Sequence, residues 1–210
     1  MPITHELPAG KSGRVLIWET TESEAELRAL LAADLTDEAQ LRGFAYEHRR
    51  KQWLATRLLL SELAPGAAIV HDEHGKPLLS GAAGHISISH SHEHIAMMRD
   101  AHPAGIDIER VRPKIERIAG KFLRDEELVH ALRPPQPERL HAYWCLKEAT
   151  YKVYGRKGVS LKTNIFVHDF TYAPQGEAGC RLEHEGHTLD CRLQYRLLGG
   201  FMLAFTAHDA

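Results

Sequence analysis

The 210 residues are 43% hydrophobic and 26% charged, enough chain for one large domain or two small ones around a proper core. A formal net charge of -2 excludes a general nucleic-acid binder, because any anion site must then be a local cluster rather than a field from the whole surface. No apolar run approaches the roughly 18 residues of a membrane span, Met1 to Gly13 lacks a basic-then-apolar secretory pattern, and Cys145, Cys180 and Cys191 match no metal spacing and read as reduced thiols in the cytoplasm.

Arg14 to Trp18 predicts a first strand, and residues 22–33 a helix carried by Leu27, Leu30 and Leu31. Thr36 is placed to cap another helix, with Asp37 and Glu38 in the first turn where the dipole favours acids. After a break at Phe44 to Tyr46, residues 47–64 predict a strong helix stopped by Pro65-Gly66. Its Arg49, Arg50 and Lys51 read as a solvated face beside the core stripe of Trp53, Leu54, Leu58 and Leu60. A strand over 68–71 runs into a turn from Asp72 to Pro77. A Gly-rich loop, Ser80 to Gly84, leads into the alternating strand His85 to Ser89, and a short strand follows over Ile95 to Met98. Ala101 to Ala104 is the candidate boundary between two units, 1–103 and 104–210.

The second unit opens on a strand, Gly105-Ile106-Asp107-Ile108-Glu109. Helices are then expected over 113–122 and 124–132, a break at Pro134 to Pro137, and a long helix from Glu138 to Tyr154 ended by Gly155 and Gly158. Strands follow at 165–172, 180–184, 189–196 and 201–206. Each half thus carries a long helix and then a short meander of strands. That order predicts an α+β protein of two similar, pseudo-symmetric lobes with the active site in the cleft between them.

Side chains on a strand alternate faces, so Asp107 and Glu109 point the same way, one pleat apart. Two carboxylates on one side of an otherwise apolar strand repel each other and lose hydration; a cation relieves both penalties, and hard oxygen ligands suit Mg²⁺. On the long helix Trp144, Glu148 and Lys152 stand at i, i+4 and i+8 and share a face, with Lys147 and Tyr151 beside them. If this helix crosses the acidic strand, Asp107, Glu109 and Glu148 form a three-carboxylate cup for Mg²⁺, and Lys152, one turn beyond, meets a phosphate. The alternating His90, His92 and His94 miss the His-x-His-x-Asp-His spacing of metallo-hydrolases, and no His-Glu-x-x-His is present.

In order and spacing, the chain resembles the 4′-phosphopantetheinyl transferases of the Sfp type over roughly residues 40–165. The matching stretches are Gly75-Lys76-Pro77, Ile88-Ser89-His90-Ser91, Gly105 to Glu109, Lys121-Phe122-x-x-x-Glu126 and Trp144-x-x-Lys147-Glu148-Ala149-x-x-Lys152, then Gly155-x-x-Gly158-x-Ser160-Leu161. The resemblance implies coenzyme A in the interlobe cleft, Mg²⁺ on its pyrophosphate, and phosphopantetheine transfer to a serine of an apo acyl or peptidyl carrier protein, releasing 3′,5′-ADP. It makes Asp107, Glu109 and Glu148 the metal ligands, Lys152 and His90 phosphate contacts, and Gly75, Lys76, Pro77 and Ser89 part of the nucleotide site. Glu148, or a water it holds, becomes the base towards the carrier serine. The family's usual Asn two before the strand-end serine is Ser87 here, and the usual basic residue four before Phe44 is Gln40, so Arg42 or Arg50 is left to hold the 3′-phosphate. A monomer in the cytoplasm, with no nucleic-acid or membrane partner, is expected. The rivals are a non-catalytic coenzyme A or carrier-binding module, and a metal-dependent phosphodiesterase.

Overall fold

The computed structural model describes residues 3–32, 36–132 and 136–208. It is a mixed α and β structure of two main antiparallel sheets and a hairpin. The first sheet has the order Ile3–Ala9 (β1), Gly13–Glu19 (β2), His94–Asp100 (β6), His85–Ser91 (β5), and the second Ile106–Arg110 (β7), Phe201–Thr206 (β11), His187–Leu198 (β10), Gln175–His184 (β9), Ile165–Val167 (β8).

Strands β1 (Ile3–Ala9), β2 (Gly13–Glu19), β5 (His85–Ser91) and β6 (His94–Asp100) make the first sheet. Strand β2 shows why it forms a layer. Leu16 and Trp18 alternate with Val15 and Ile17, and all four are buried because both faces are covered. Leu16, Trp18, Ile95 and Met97 pack against Trp53, Leu54, Leu58 and Leu59 of the helix α3 (Glu47–Leu63). Val15, Ile17, Ala96 and Met98 face the other way, onto the second sheet.

The second sheet contains β7 (Ile106–Arg110), β8 (Ile165–Val167), β9 (Gln175–His184), β10 (His187–Leu198) and β11 (Phe201–Thr206). Strand β11 is buried at every position. Its Phe201, Leu203 and Phe205 meet the first sheet beside Ile106 and Ile108, while Met202 and Ala204 lie under the helix α6 (Pro137–Tyr154). The layers therefore run α3, first sheet, second sheet, α6. In the first sheet the last strand, β6, lies between β2 and the penultimate strand β5; in the second the last strand, β11, lies between β7 and the penultimate strand β10.

Several expectations shift. Strand β1 was unforeseen, because Ile3-Thr4-His5-Glu6-Leu7 is an exposed edge with little apolar alternation. Asp37, not Thr36, caps helix α2 (Glu38–Arg42), its carboxylate accepting the Gln40 N–H at 2.9 Å. Pro77–Ser80, joining the expected turn ending at Pro77 to the expected loop starting at Ser80, is a strand (β4) paired with β3 (Ala68–His71). The helix expected at 113–122 is a 3-10 segment, Pro113–Ile118, followed by the short helix α4 (Ala119–Phe122). Strand β8 stops at Val167, well short of Tyr172. The expected helix end at Ala33 and the break at Pro134-Pro135 lie outside the described residues.

Candidate active site

Strand β7 is an edge strand, and its chemistry is decided by how that edge is closed. Its odd-numbered positions bond towards β11, as the Thr206 N–H to Gly105 O and the Val111 N–H to Gly200 O show. The outward N–H groups of Ile106, Ile108 and Arg110 are accepted by the hydroxyls of Ser87, Ser89 and Ser91 on β5, at 3.0, 3.3 and 3.1 Å. The outward carbonyl of Ile106 accepts from Lys152 Nζ at 2.8 Å. Side chains of the other sheet and of α6 thus close an edge that would otherwise invite pairing.

Those side chains also hold the two acids, which share the α6 face of β7 as their alternation requires. Asp107 Oδ1 accepts from Ser89 Oγ at 2.8 Å and from Lys152 Nζ at 2.9 Å. Glu109 Oε2 accepts from Ser91 Oγ at 2.8 Å. Burial raises the Glu109 pKa, the Ser91 hydrogen bond opposes that, and the neighbouring Asp107 charge adds to the rise.

Helix α6 reaches this face because Gly105 lets it. A Cβ at Gly105 would lie 2.1 Å from Ala149 O and 2.6 Å from Val153 Cγ2. The close approach sets Glu148 and Lys152 over β7. Glu148 is pushed up to about 7, first by burial and then by the charge of Asp107, with Lys152 acting the other way and Glu109 adding a smaller rise. Trp144 packs edge-on against Phe122 with ring centres 5.0 Å apart. Lys147, adjacent in sequence to Glu148, turns inwards. It is fully buried, and its ammonium donates to Glu127 Oε2 at 2.6 Å, Leu161 O at 3.0 Å and Ile165 O at 2.8 Å.

The remaining predicted residues divide. Gly75, Lys76 and Pro77 meet Ser87, Tyr151, Lys152 and Gly155 around a cavity of about 260 Å³. There Lys76 Nζ donates to Val153 O, and burial lowers the Lys76 pKa. Gly155 takes φ +72° at the end of α6, and a Cβ on it would stand 2.4 Å from Lys76 Cδ. His90 is exposed at the end of β5 beside Arg49, with Arg49 Nη1 3.4 Å from its Nε2. Partial loss of hydration at its ring lowers its pKa first and the Arg49 charge second. Ser89 is buried, with its hydroxyl engaged by β7 and Asp107 rather than turned to open space. Arg50 is tied to Glu24 at 2.7 Å and to the Phe44 carbonyl at 2.8 Å, whereas Arg42 is exposed on α2. Gln40, standing where a basic residue was expected, accepts the Trp53 indole N–H at 2.7 Å.

A second cavity, about 350 Å³, opens at the other end of the acid strand. It is lined by Glu109, Arg110, Arg112, Lys114, Ile115 and Trp144 among others. The acids therefore stand between two cavities, with Lys152 bordering one and Glu109 the other.

The donor set suits a hard divalent cation. Three carboxylates supply oxygen ligands of the kind magnesium takes, and Asp107 Oδ2 is buried with no hydrogen-bond partner. The pKa values of Glu109 and Glu148 are raised first by burial and then by the Asp107 charge, and a bound cation would oppose both effects. Even so, no group of three or more His, Cys, Asp or Glu side chains among the described residues is arranged to hold a metal ion. Lys152 and Ser89 hold Asp107 Oδ1 and Ser91 holds Glu109 Oε2, while Asp107 Oδ2 has no such partner.

Sequence reasoning missed Glu127, Ser87 and Ser91. The motif singled out Glu126, which is exposed, while its neighbour Glu127 is buried against Lys147. For the serines the signal was present in Ser87-Ile88-Ser89-His90-Ser91, where hydroxyls repeat every second residue of a strand and must share one face.

Comparison with known proteins agrees with this geometry. The family described as the 4'-phosphopantetheinyl transferase superfamily matches residues 103–206. The 4'-phosphopantetheinyl transferase psf-1 of Bacillus pumilus is 35% identical over 117 residues, 53% of this chain and 48% of that protein. A 4'-phosphopantetheinyl transferase of Bacillus subtilis is 32% identical over 136 residues, 60% of this chain and 58% of that protein. The 4'-phosphopantetheinyl transferase Sfp of Bacillus subtilis (strain 168) is 34% identical over 98 residues, 45% of this chain and 43% of that protein. The chain spans about half the length of the curated relatives it matches. With the acid strand, the helix seated across it and the matched segment 103–206 all falling together, this chain belongs to the 4'-phosphopantetheinyl transferase superfamily.

Proposed function

We propose that this protein transfers 4′-phosphopantetheine from coenzyme A to a serine of an apo acyl or peptidyl carrier protein, giving the holo carrier and 3′,5′-ADP. The observation that carries the reading is the pair of buried Asp107 and half-buried Glu109, one pleat apart on β7 beneath Glu148 and Lys152 of α6. Shared topology around β2-β6-β5 and β7-β11-β10 supports two pseudo-symmetric lobes, 1–103 and 104–210, with the site between them. Mg²⁺ would be held by Asp107, Glu109 and Glu148, supplying charge neutralisation on the pyrophosphate. Lys152 and His90 face the phosphates, while Gly75, Lys76 and Pro77 border the nucleotide, with Ser89 acting through Asp107. We assign the 3′-phosphate to Arg42 rather than Arg50, because Arg50 is already engaged by Glu24 and Phe44.

The chemistry asks little covalent work of the protein. The carrier's serine oxygen bonds to the phosphorus bearing the pantetheine, the bond from that phosphorus to the bridging oxygen breaks, and 3′,5′-ADP leaves. Alignment and electrostatics dominate such a step. Glu148, or a water it holds, is the group assigned to take the serine proton. Among the described residues no helix is long and apolar enough to cross a membrane; we place the protein in the cytoplasm as a monomer without a nucleic-acid partner.

The test is incubation with coenzyme A, Mg²⁺ and a panel of apo carriers, read by intact mass. Transfer by the wild type, lost in folded Asp107→Ala, supports the reading. Coenzyme A binding without turnover would make the protein a binding module. Cleavage of coenzyme A with no gain of carrier mass would make it a phosphodiesterase.

A further inference from the structure

Two edge strands, β5 and β7, run side by side without a backbone ladder between them, since each belongs to a different sheet. The serines of β5 replace that ladder. Each of Ser87, Ser89 and Ser91 accepts one outward N–H of β7, but their remaining hydroxyl protons go to different places. Ser89 donates to Asp107 and Ser91 to Glu109, whereas Ser87 makes no bond to a carboxylate among the described residues.

A hydroxyl that both accepts and donates fixes two things at once. Its acceptor side sets where the β7 backbone lies, and its donor side sets which way the acid on that backbone turns. Ser91 accepts from the Arg110 N–H and donates to Glu109 Oε2, so backbone and carboxylate are referenced to one oxygen. Ser91 is itself buried, so water does not compete for that oxygen.

We propose that Ser91 is a positioning residue for Glu109: carried on the first sheet, it orients a carboxylate that belongs to the second and so helps set the cation site. This rests on the reading of Asp107, Glu109 and Glu148 as the cation's ligands. Groups one layer behind metal ligands commonly matter for affinity because they orient the ligand and hold its charge. Ser87 supplies an internal control, since it makes the same backbone contact and touches no carboxylate.

The experiment titrates Mn²⁺ alone into the full chain and reads free ion by electron paramagnetic resonance, for wild type, Ser91→Ala and Ser87→Ala. Ser91→Ala should bind Mn²⁺ about tenfold or more weakly, with Ser87→Ala close to wild type. In transfer assays Ser91→Ala should need correspondingly more Mg²⁺ for half-maximal rate. Wild-type Mn²⁺ affinity in Ser91→Ala overturns the proposal, and so does an equal loss in Ser87→Ala, which would trace the effect to the β7 backbone. If Ser91→Ala fails to fold, Ser91→Cys takes its place, because a thiol of similar size is a weak hydrogen-bond partner; the same outcomes decide. No Mn²⁺ binding by the wild type would remove the metal reading and this proposal together. Wild-type binding with an unchanged Ser91 variant would sink the proposal alone.

Discussion

Replacing Lys147 with methionine tests whether the lysine beside Glu148 belongs to the chemistry or to the core. The side chain is fully buried, Glu127 is 7% exposed, and the ammonium has three acceptors within 3.0 Å. Lys147→Met keeps the length and apolar bulk but leaves the Glu127 carboxylate without its counter-charge. Breaking a buried pair by removing one partner costs about 3–5 kcal/mol. Glu127 retains the Arg124 and Val167 N–H groups, at 2.8 and 2.9 Å, which soften the loss. Two carbonyls, on Leu161 and Ile165, lose a donor and add to it. The lower part of that range, about 3 kcal/mol, is therefore the expected loss, a large share of the roughly 5–15 kcal/mol that holds a domain together. Urea unfolding measures it. The double variant Lys147→Met/Glu127→Gln should recover more than half, because the amide keeps an acceptor and drops the charge. A Lys147→Met protein within about 1 kcal/mol of wild type, or one that is fully stable yet inactive, would refute the structural role.

The other predictions concern the cleft. Glu148 is raised from 4.5 to about 7, so between those values the folded chain holds a proton that the unfolded chain has lost; the contribution of this group to stability is full below about 4.5 and is lost as pH rises through about 7. Thermal unfolding without divalent cation should show that fall flattened in Glu148→Gln, and an identical pH slope in both proteins would contradict the raised value. Gly105→Ala forces α6 away from β7 and should cost at least about 1–3 kcal/mol, read by the same urea titration, with transfer lost too; a neutral result would mean the helix seat is softer than drawn. Gly155→Ala must adopt φ +72°, at about 1–2 kcal/mol, and push on Lys76; calorimetry should show weaker coenzyme A binding, and wild-type affinity would separate Lys76 from the nucleotide site. Lys152→Ala should lower the single-turnover transfer rate about a hundredfold, and an unchanged rate would remove it from the phosphate site.

How much of this was legible in the sequence depends on whether a residue's partner is local. The two long helices, the hairpin turn at Asp72 to Pro77 and the strand Phe201 to Thr206 announce themselves through periodicity and breakers that act within a few residues. Asp107 and Glu109 could be placed on one face for the same reason. Strand β1 could not be seen, because its pattern is that of an exposed edge and only pairing with β2 makes it a strand. Which glutamate serves Lys147 was equally hidden: Glu126 and Glu127 are adjacent, and only the docking of α5 (Asp125–Ala131) on α6 decides which is buried. The partner of Ser89 within the chain was hidden in the same way. Facing β7 from another sheet, its hydroxyl found Asp107 first.

The contrast between Lys147 and Lys152, five residues apart on one helix, turns on donor count rather than on charge. An ammonium has three hydrogen-bond donors. Lys147 uses all three on protein acceptors and has no exposed surface, so nothing in it can respond to a ligand. Lys152 gives one donor to Ile106 O and one to Asp107 Oδ1, and those are its hydrogen-bond partners among the described residues; its side chain is 26% exposed. Its third donor is left for whatever occupies the cavity beside Lys76 and Gly155. Two fixed bonds also hold the ammonium in place before a ligand arrives, which is how an electrostatic contact avoids reorganisation at the moment of reaction. Lys152 therefore needs neither to release Asp107 nor to move in order to meet a phosphate, and an arginine in its place would not reproduce this. The planar guanidinium cannot aim one donor along each of three directions from a single atom. Lys152→Arg, although it preserves charge, should on this argument lose most of the transfer rate. If it transferred as well as wild type, the site would need only a positive charge, and the donor geometry argued here would be irrelevant.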